Sequence, residues 1–308
     1  MKILITADLH IHKYRQFDKA GSRLQYAIDQ IEWLFETAAS IPDCAHIIIA
    51  GDLFHQFDTI SNTVVNRVAL AFSKYLKTYF EMSVWCISGN HDYGSRVNDG
   101  YETSIQFLTN ISRQFHNADY CNLWCGNQRF VFIPYTGDLN LFRDFWHKME
   151  VDDKTVVICH DTIAGIYDSN IPAILPLDLL SGAKRVFAGH IHRHQVITPT
   201  VCHIGSLQHQ DLGDVGQRKS ALLYDTICNT FDHIYSDFPE FRIGPKADEF
   251  NYWVDDKLKA VKGREQAPAV IKYDPTVKTP EQLLETYIQD IVAEDERDLF
   301  IQISKMCL

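Results

Sequence analysis

At 308 residues the chain has room for one large domain and a smaller appendage, and its 46% hydrophobic and 22% charged residues are the balance of an ordinary soluble globular protein. No stretch approaches the roughly 18 unbroken apolar residues of a membrane span. Asp8 and His10 fall where a signal peptide would still be apolar, so neither a membrane nor the secretory route is expected, and the expected compartment is the cytoplasm. A formal net charge of -11 makes a stand-alone nucleic-acid binder awkward, because affinity for phosphates comes largely from Lys and Arg. Either the substrate is small, or metals and a partner supply the missing positive charge.

Five short apolar runs each lead directly into residues able to ligate a metal. Lys2 to Thr6 precedes Asp8 and His10, and His46 to Ala50 precedes Gly51, Asp52 and His55. Val84 to Ser88 leads into Gly89, Asn90, His91 and Asp92, and Thr155 to Cys159 into His160 and Asp161. Arg185 to Ala188 leads into Gly189, His190 and His192. Continuous runs of this length and β-branched character suit strands buried on both faces.

Between the first two runs, Leu24, Ile28, Ile31, Leu34 and Phe35 are spaced as one face of a helix; between the second and third, Val64, Val68, Ala71, Phe72, Tyr75 and Tyr79 repeat the pattern. Strand, helix, strand in this rhythm predicts a layered α/β domain, with ligands gathering at the carboxyl ends of its strands. Of eight cysteines only Cys121 and Cys125 are close, and a lone C-x-x-x-C lacks the second ligand pair of a structural zinc site, so reduced thiols are expected. Cys86 and Cys159 read as small core residues.

From about Val196 to Ile234 short strands and turns predict a second sheet packing on the first. Residues 235–276 read as strand (Phe241 to Ile243), helix (Glu249 to Val261) and strand (Ala269 to Tyr273). Thr279-Pro280-Glu281 then starts a helix in a tail, 277–308, with apolar positions Leu283, Leu284, Tyr287, Ile288 and Ile291. A second short amphipathic piece covers Leu299 to Met306.

Hydrolysis of a phosphodiester at neutral pH needs a hydroxide and stabilisation of charge on the leaving oxygen, which two cations roughly 3.5–4 Å apart supply together. A carboxylate must bridge them, and Asp52 is the natural bridge. Asp8, His10 and His192 complete a first site, and Asn90, His160 and His190 a second. Carboxylate, amide and imidazole without thiolate suit Mn²⁺ or Fe²⁺, with Zn²⁺ as an alternative. His190 and His192 sit two apart, so extended backbone would point them to opposite faces; both ligate only if the chain turns there. His91, beside Asn90, is placed to protonate the leaving oxygen. Asp92 either orients His91 or supports the ligands, and His55 either assists at the substrate or supports them.

D-L-H at 8–10, G-D-L-F-H at 51–55, G-N-H-D at 89–92, C-H-D at 159–161 and G-H-I-H at 189–192 together resemble the calcineurin-like metallophosphoesterase superfamily. Within it the chain is similar to SbcD-type nuclease subunits of double-strand-break repair complexes, including compact bacteriophage versions. Lys13-Tyr14-Arg15-Gln16-Phe17 matches a basic, aromatic turn of those nucleases, and Gly205-Ser206-Leu207 matches a Gly-Ser-Pro segment, with Leu207 departing from Pro. The resemblance implies an α-β-β-α sandwich over 1–234, a reduced capping domain over 235–276 and a helical tail over 277–308. It further implies a Mn²⁺-dependent exonuclease and endonuclease on DNA, a homodimer, DNA contacts from Lys13, Tyr14 and Arg15, and an SbcC-type ATPase partner docked on the tail. The setting would be a bacterial cell or a phage-infected host.

Two other readings use the same residues: a small-molecule phosphatase or cyclic-nucleotide phosphodiesterase, which the acidic charge favours, and a scaffold that has lost catalysis. The presence of all seven proposed ligands and of His91 argues against the scaffold. The length beyond residue 235 argues against a minimal small-molecule enzyme.

Overall fold

The computed structural model describes residues 1–15, 17–18, 22–55, 59–93, 103–166, 171–243, 250–253 and 261–262. The apolar runs form strands β1 (Lys2–Thr6), β2 (Cys44–Ala50) and β3 (Ser83–Ile87), followed by β4 (Phe115–Asn117), β5 (Cys121–Cys125), β6 (Gln128–Ile133), β7 (Thr155–Cys159) and β8 (Arg185–Ala188). Then come β9 (Gln195–Thr198), β10 (Val201–His203), β11 (Ser220–Asp225), β12 (Thr230–Tyr235), β13 (Glu240–Ile243), β14 (Phe250–Trp253) and β15 (Val261–Lys262). The helices are α1 (Ser22–Ser40), α2 (Asn62–Thr78), α3 (Leu139–Lys148) and the single turn α4 (Leu177–Leu180).

Two six-stranded sheets, ordered β12-β11-β1-β2-β3-β4 and β5-β6-β7-β8-β10-β9, lie face to face. Side chains alternate along each strand, so every central strand feeds two cores. Ile3, Ile5, Ile48, Phe130, Phe132, Val156, Ile158 and Phe187 meet between the sheets. Leu4, Ile47 and Ile49 turn outward beneath α1 and α2, while Val131, Ile133, Val157 and Val186 turn outward beneath α3 and α4. The result is an α-β-β-α sandwich. It explains why the runs are apolar throughout: both faces of β7, for example, are covered along its whole length. The predicted faces of the first two helices hold, with Leu24, Ile28, Ile31, Leu34 and Phe35 and also Val64, Val68, Ala71, Phe72 and Tyr75 buried.

Three predicted details differ. The second sheet begins at β5, well before residue 196, and it ends with β9 and β10. The chain then returns to the first sheet, because β11 (SALLYD) pairs antiparallel with β1, Ile3 opposite Tyr224, and β12 pairs on β11. The helix predicted over 249–261 is also corrected, since Phe250–Trp253 and Val261–Lys262 are strands paired antiparallel, in a three-stranded sheet with β13. Phe250 and Tyr252 are aromatics at a two-residue spacing, which favours strand over helix. The predicted strand over 269–273 and the tail 277–308 lie outside the described residues. By packing, the chain divides into one unit of Met1–Arg242 with Phe250–Gly263 and a second of Ile243–Glu249 with Arg264–Leu308.

The cysteines described are free thiols, with Cys86, Cys125 and Cys159 buried. Among the described residues no helix is long and apolar enough to cross a membrane.

Candidate metal centre

The carboxyl ends of β1, β2 and β3 in one sheet and of β7 and β8 in the other open onto the same edge of the sandwich. Backbone hydrogen bonds lock these ends together: Asp8 N–H donates to Gly51 O (3.1 Å), His10 N–H to Asp52 O (3.0 Å) and Gly189 N–H to Cys159 O (3.0 Å). Tyr135 N–H, just beyond β6, donates across to Ser88 O (2.9 Å), tying one sheet to the other.

At this edge the backbone turns sharply. Asp8, His10, Asp52 and His190 adopt positive φ angles of 55°, 45°, 53° and 77°, a left-handed conformation that costs side-chain-bearing residues of order 1 kcal/mol or more each. Four candidate ligands share it, and His190 provides the turn that the two-residue spacing to His192 required. Gly51 has φ 90°, and a Cβ there would overlap the His160 ring; a Cβ at Gly89 would overlap the Asp52 carboxylate. Glycine precedes Asp52 and Asn90 because nothing larger leaves space for the ligands behind it.

All seven proposed ligands converge. The ligand atoms of Asp8, His10 and His192 lie within 4.8 Å of one another, as do those of Asp52, His160 and His190. His10 Nε2 is 2.9 Å from His192 Nε2. Asn90 Oδ1 is 2.8 Å from His190 Nδ1 and 3.3 Å from His160 Nε2. Asp52 Oδ2 sits between the groups, 3.5 Å from His10 Nε2 and 3.3 Å from His160 Nε2. Asp8, His10, Asp52 and His160 are buried, whereas Asn90, His190 and His192 are half-buried and form the open side.

Ring orientations are set from behind. His160 Nδ1 donates to Ala50 O (2.7 Å), leaving Nε2 facing Asp52. Asp8 Oδ1 accepts from His190 N–H (3.0 Å), while Asp8 Oδ2 is buried without a hydrogen-bond partner. An orphaned carboxylate oxygen among imidazole nitrogens is what a cation would satisfy, so the donor set fits divalent metals.

The charges agree. Burial works against both ions of the Asp52–His160 pair, yet each holds the other charged: Asp52 stays well below the usual carboxylate range and His160 is raised to about 10. Burial pushes Asp8 up, opposed by His160 and His192. Burial, then His160, holds His190 down to about 3, and burial also lowers His10. Without metal, then, a proton on His160 neutralises the bridge position, and a cation would displace it.

His91 and His55 lie beside the ligands. His91 Nδ1 donates to His55 O (2.7 Å), the two rings stack at 4.9 Å, and His55 Nδ1 is 3.1 Å from His10 Nδ1. His10, His55 and His91 form a third group of nitrogens within 4.8 Å. Asp92 does not turn toward the cleft. Fully buried, it accepts from the N–H groups of Leu53 (3.2 Å), Phe54 (3.0 Å) and Gly89 (2.9 Å), joining the loops after β2 and β3. Lys13 and Arg15 are exposed, but Tyr14 is buried, with the Arg23 guanidinium 3.9 Å over its ring. Of the three residues read as DNA contacts, only the two cations reach solvent.

Sequence reasoning missed His12 and His203. His12 Nδ1 donates to His10 O (2.8 Å), and its ring stacks on His55 at 4.2 Å. Its spacing in D-L-H-I-H repeats that of G-H-I-H and was a usable signal. His203 Nδ1 donates to Gly189 O (2.9 Å) and its Nε2 accepts from Ile163 N–H (3.3 Å), steadying the strand end before His190. Within V-C-H-I-G it looks like any core residue.

A layered sandwich with histidines, aspartates and an asparagine converging from five strand ends defines a metallohydrolase class. The sequence model of the calcineurin-like phosphoesterase family matches residues 1–194, and the chain belongs to that family; it is a metal-dependent phosphoesterase. No curated protein sequence matches the chain. Among solved structures it is similar to an archaeal phosphodiesterase (15% identity, 77% of this chain and 100% of that one, TM-score 0.41). It is also similar to the Pseudomonas putida nuclease MPE (16% identity, 73% and 84%, TM-score 0.35) and to a 5'-nucleotidase precursor from Thermus thermophilus (14% identity, 76% and 54%, TM-score 0.37).

Proposed function

We propose that the protein is a two-metal phosphodiesterase acting on DNA, the nuclease subunit of an SbcCD-like repair and recombination complex. The observation that carries the two-metal reading is the position of Asp52 Oδ2, one carboxylate oxygen facing both histidine groups. Asp8, His10 and His192 would hold one cation, Asn90, His160 and His190 the other, with Asp52 between them; the donors suit Mn²⁺ or Fe²⁺, and the resemblance to SbcD-type nucleases favours Mn²⁺. When bound, the pair would supply a nucleophile from water and stabilise charge on the phosphate.

The chain's own residues then have separable tasks. The diester enters from the side of Asn90, His190 and His192. His91 is oriented through Nδ1 by the His55 carbonyl, which leaves Nε2 as the nitrogen that delivers a proton to the leaving oxygen. His55 braces His91 through its ring and its carbonyl, and Asp92 fixes the loops that carry Asp52 and Asn90. Lys13 and Arg15 meet the DNA backbone. An acidic chain needs more than two cations for duplex binding, which supports an ATPase partner docked on residues 277–308 and a homodimer. The acidic charge also favours the second reading, a small-molecule phosphatase or cyclic-nucleotide phosphodiesterase.

Mn²⁺-dependent degradation of a plasmid, set against turnover of p-nitrophenyl phosphate, separates the two. Efficient monoester turnover with intact plasmid would contradict the nuclease assignment. Deleting residues 277–308 should spare cleavage of small diesters and abolish ATP-stimulated cleavage of duplex ends. Co-purification of the truncated chain with its ATPase would place the docking site elsewhere.

A further inference from the structure

We propose that Lys219, with Asp214 and Gln210, is a positioning clamp for the first metal group, holding the backbones of Asp8 and His192 at a fixed separation. The inference rests on the two-metal reading and assigns a task to residues outside the five strand-end clusters.

Lys219 is 6% exposed, and its ammonium is saturated. It donates to Asp214 Oδ1 (2.5 Å), to Gln217 Oε1 (2.9 Å) and to the backbone carbonyl of His192 (2.8 Å). A buried ammonium is tolerated only when fully bonded, and here one of its three bonds goes to the main chain of a proposed ligand 27 positions away. The same His192 carbonyl also accepts from Ser206 N–H (2.9 Å).

Asp214, 2% exposed, connects this arm to the other side of the group. Its Oδ2 accepts from Gln210 N–H (2.7 Å). The Gln210 side chain donates in turn to Asp8 O (3.2 Å), and its Oε1 accepts from Tyr14 O–H (3.2 Å). Arg23 donates to the Gln210 carbonyl (3.2 Å). One chain of bonds therefore runs from the His192 carbonyl through the buried Lys219 and Asp214 and the half-buried Gln210 to the Asp8 carbonyl. Asp8 carries a left-handed φ of 55°, a conformation that persists only where its surroundings over-determine it. The group formed by Asp52, His160 and His190 has different anchors, Ala50 O for His160 and Asp8 Oδ1 for the His190 amide. The clamp bonds directly to Asp8 and His192 of the first group and reaches the second only through the Asp8 carboxylate on the His190 amide, so it acts on the first more than on the other.

The test is Mn²⁺ titration of the metal-free full-length chain, counting ions bound per chain and the affinity of each. Wild type should bind two. Lys219→Met should keep one near wild-type affinity and bind the other roughly 10–100-fold more weakly, the scale for lost support behind ligands. Gln210→Ala removes the Asp8 arm without burying an unpaired charge, so it tests the clamp even if Lys219→Met fails to fold, and it should weaken the same single site. Two ions at unchanged affinity in a folded Gln210→Ala chain would overturn the clamp while leaving the two-metal reading intact. Equal weakening of both sites in that variant would also overturn it. Fewer than two ions in wild type would overturn the metal assignment and the clamp with it.

Discussion

Asp52 combines three contacts in one carboxylate: Oδ2 faces His10 and His160, and Oδ1 accepts the His91 amide (2.8 Å). Asp52→Asn keeps the shape and removes the shared charge, so Mn²⁺ binding should weaken at both sites and hydrolysis should fall below detection; near wild-type turnover with two ions bound would remove Asp52 from the bridge. His91→Ala should instead keep both ions and DNA binding while losing roughly 10²–10⁴-fold in rate, the scale of a general acid. Loss of metal in that variant would make His91 a ligand. Gly51→Ala puts a methyl group into the His160 ring at a φ of 90°; a cost of about 1–3 kcal/mol is expected as a lowered melting temperature, together with weaker Mn²⁺ binding. At this scale most of the site was legible in the sequence, because each ligand directly follows an apolar strand and metal chemistry restricts the residue types. Of what supports the ligands, Asp92 could be read from its place beside them, but the distant partners could not. Gln210 meets Asp8 across 202 positions and Lys219 meets His192 across 27, and no local pattern announces either contact.

Among the elements, α1 and α2 followed from apolar spacing because each covers a sheet with one face only. The helix predicted over 249–261 failed where aromatic residues at alternate positions formed β14, and the return of β11 to β1 is a long-range pairing that spacing cannot reveal. Helix α2 also carries apolar residues off its buried face: Leu70 is 69% exposed and Val65 is half-buried. Exposed apolar surface beside a fully packed face suits a second copy of the chain. Light scattering of the purified chain at micromolar concentration should give a dimer, and Leu70→Asp should give a monomer that keeps its Mn²⁺. A wild-type monomer would contradict this surface.

Taken as a whole molecule, a chain of net charge -11 concentrates two aspartates and six histidines at one edge of its sandwich, and bound cations convert that edge from a site that repels phosphate into one that attracts it. The dependence on metal should accordingly be complete. The most direct measurement follows cleavage of linear duplex DNA and of bis-p-nitrophenyl phosphate by the chelator-stripped chain as Mn²⁺ is returned. Both activities should be absent at the start and reappear together, reaching a plateau only when two ions are bound per chain. Full activity with one ion bound, or hydrolysis that survives removal of the metals, would contradict the two-metal account.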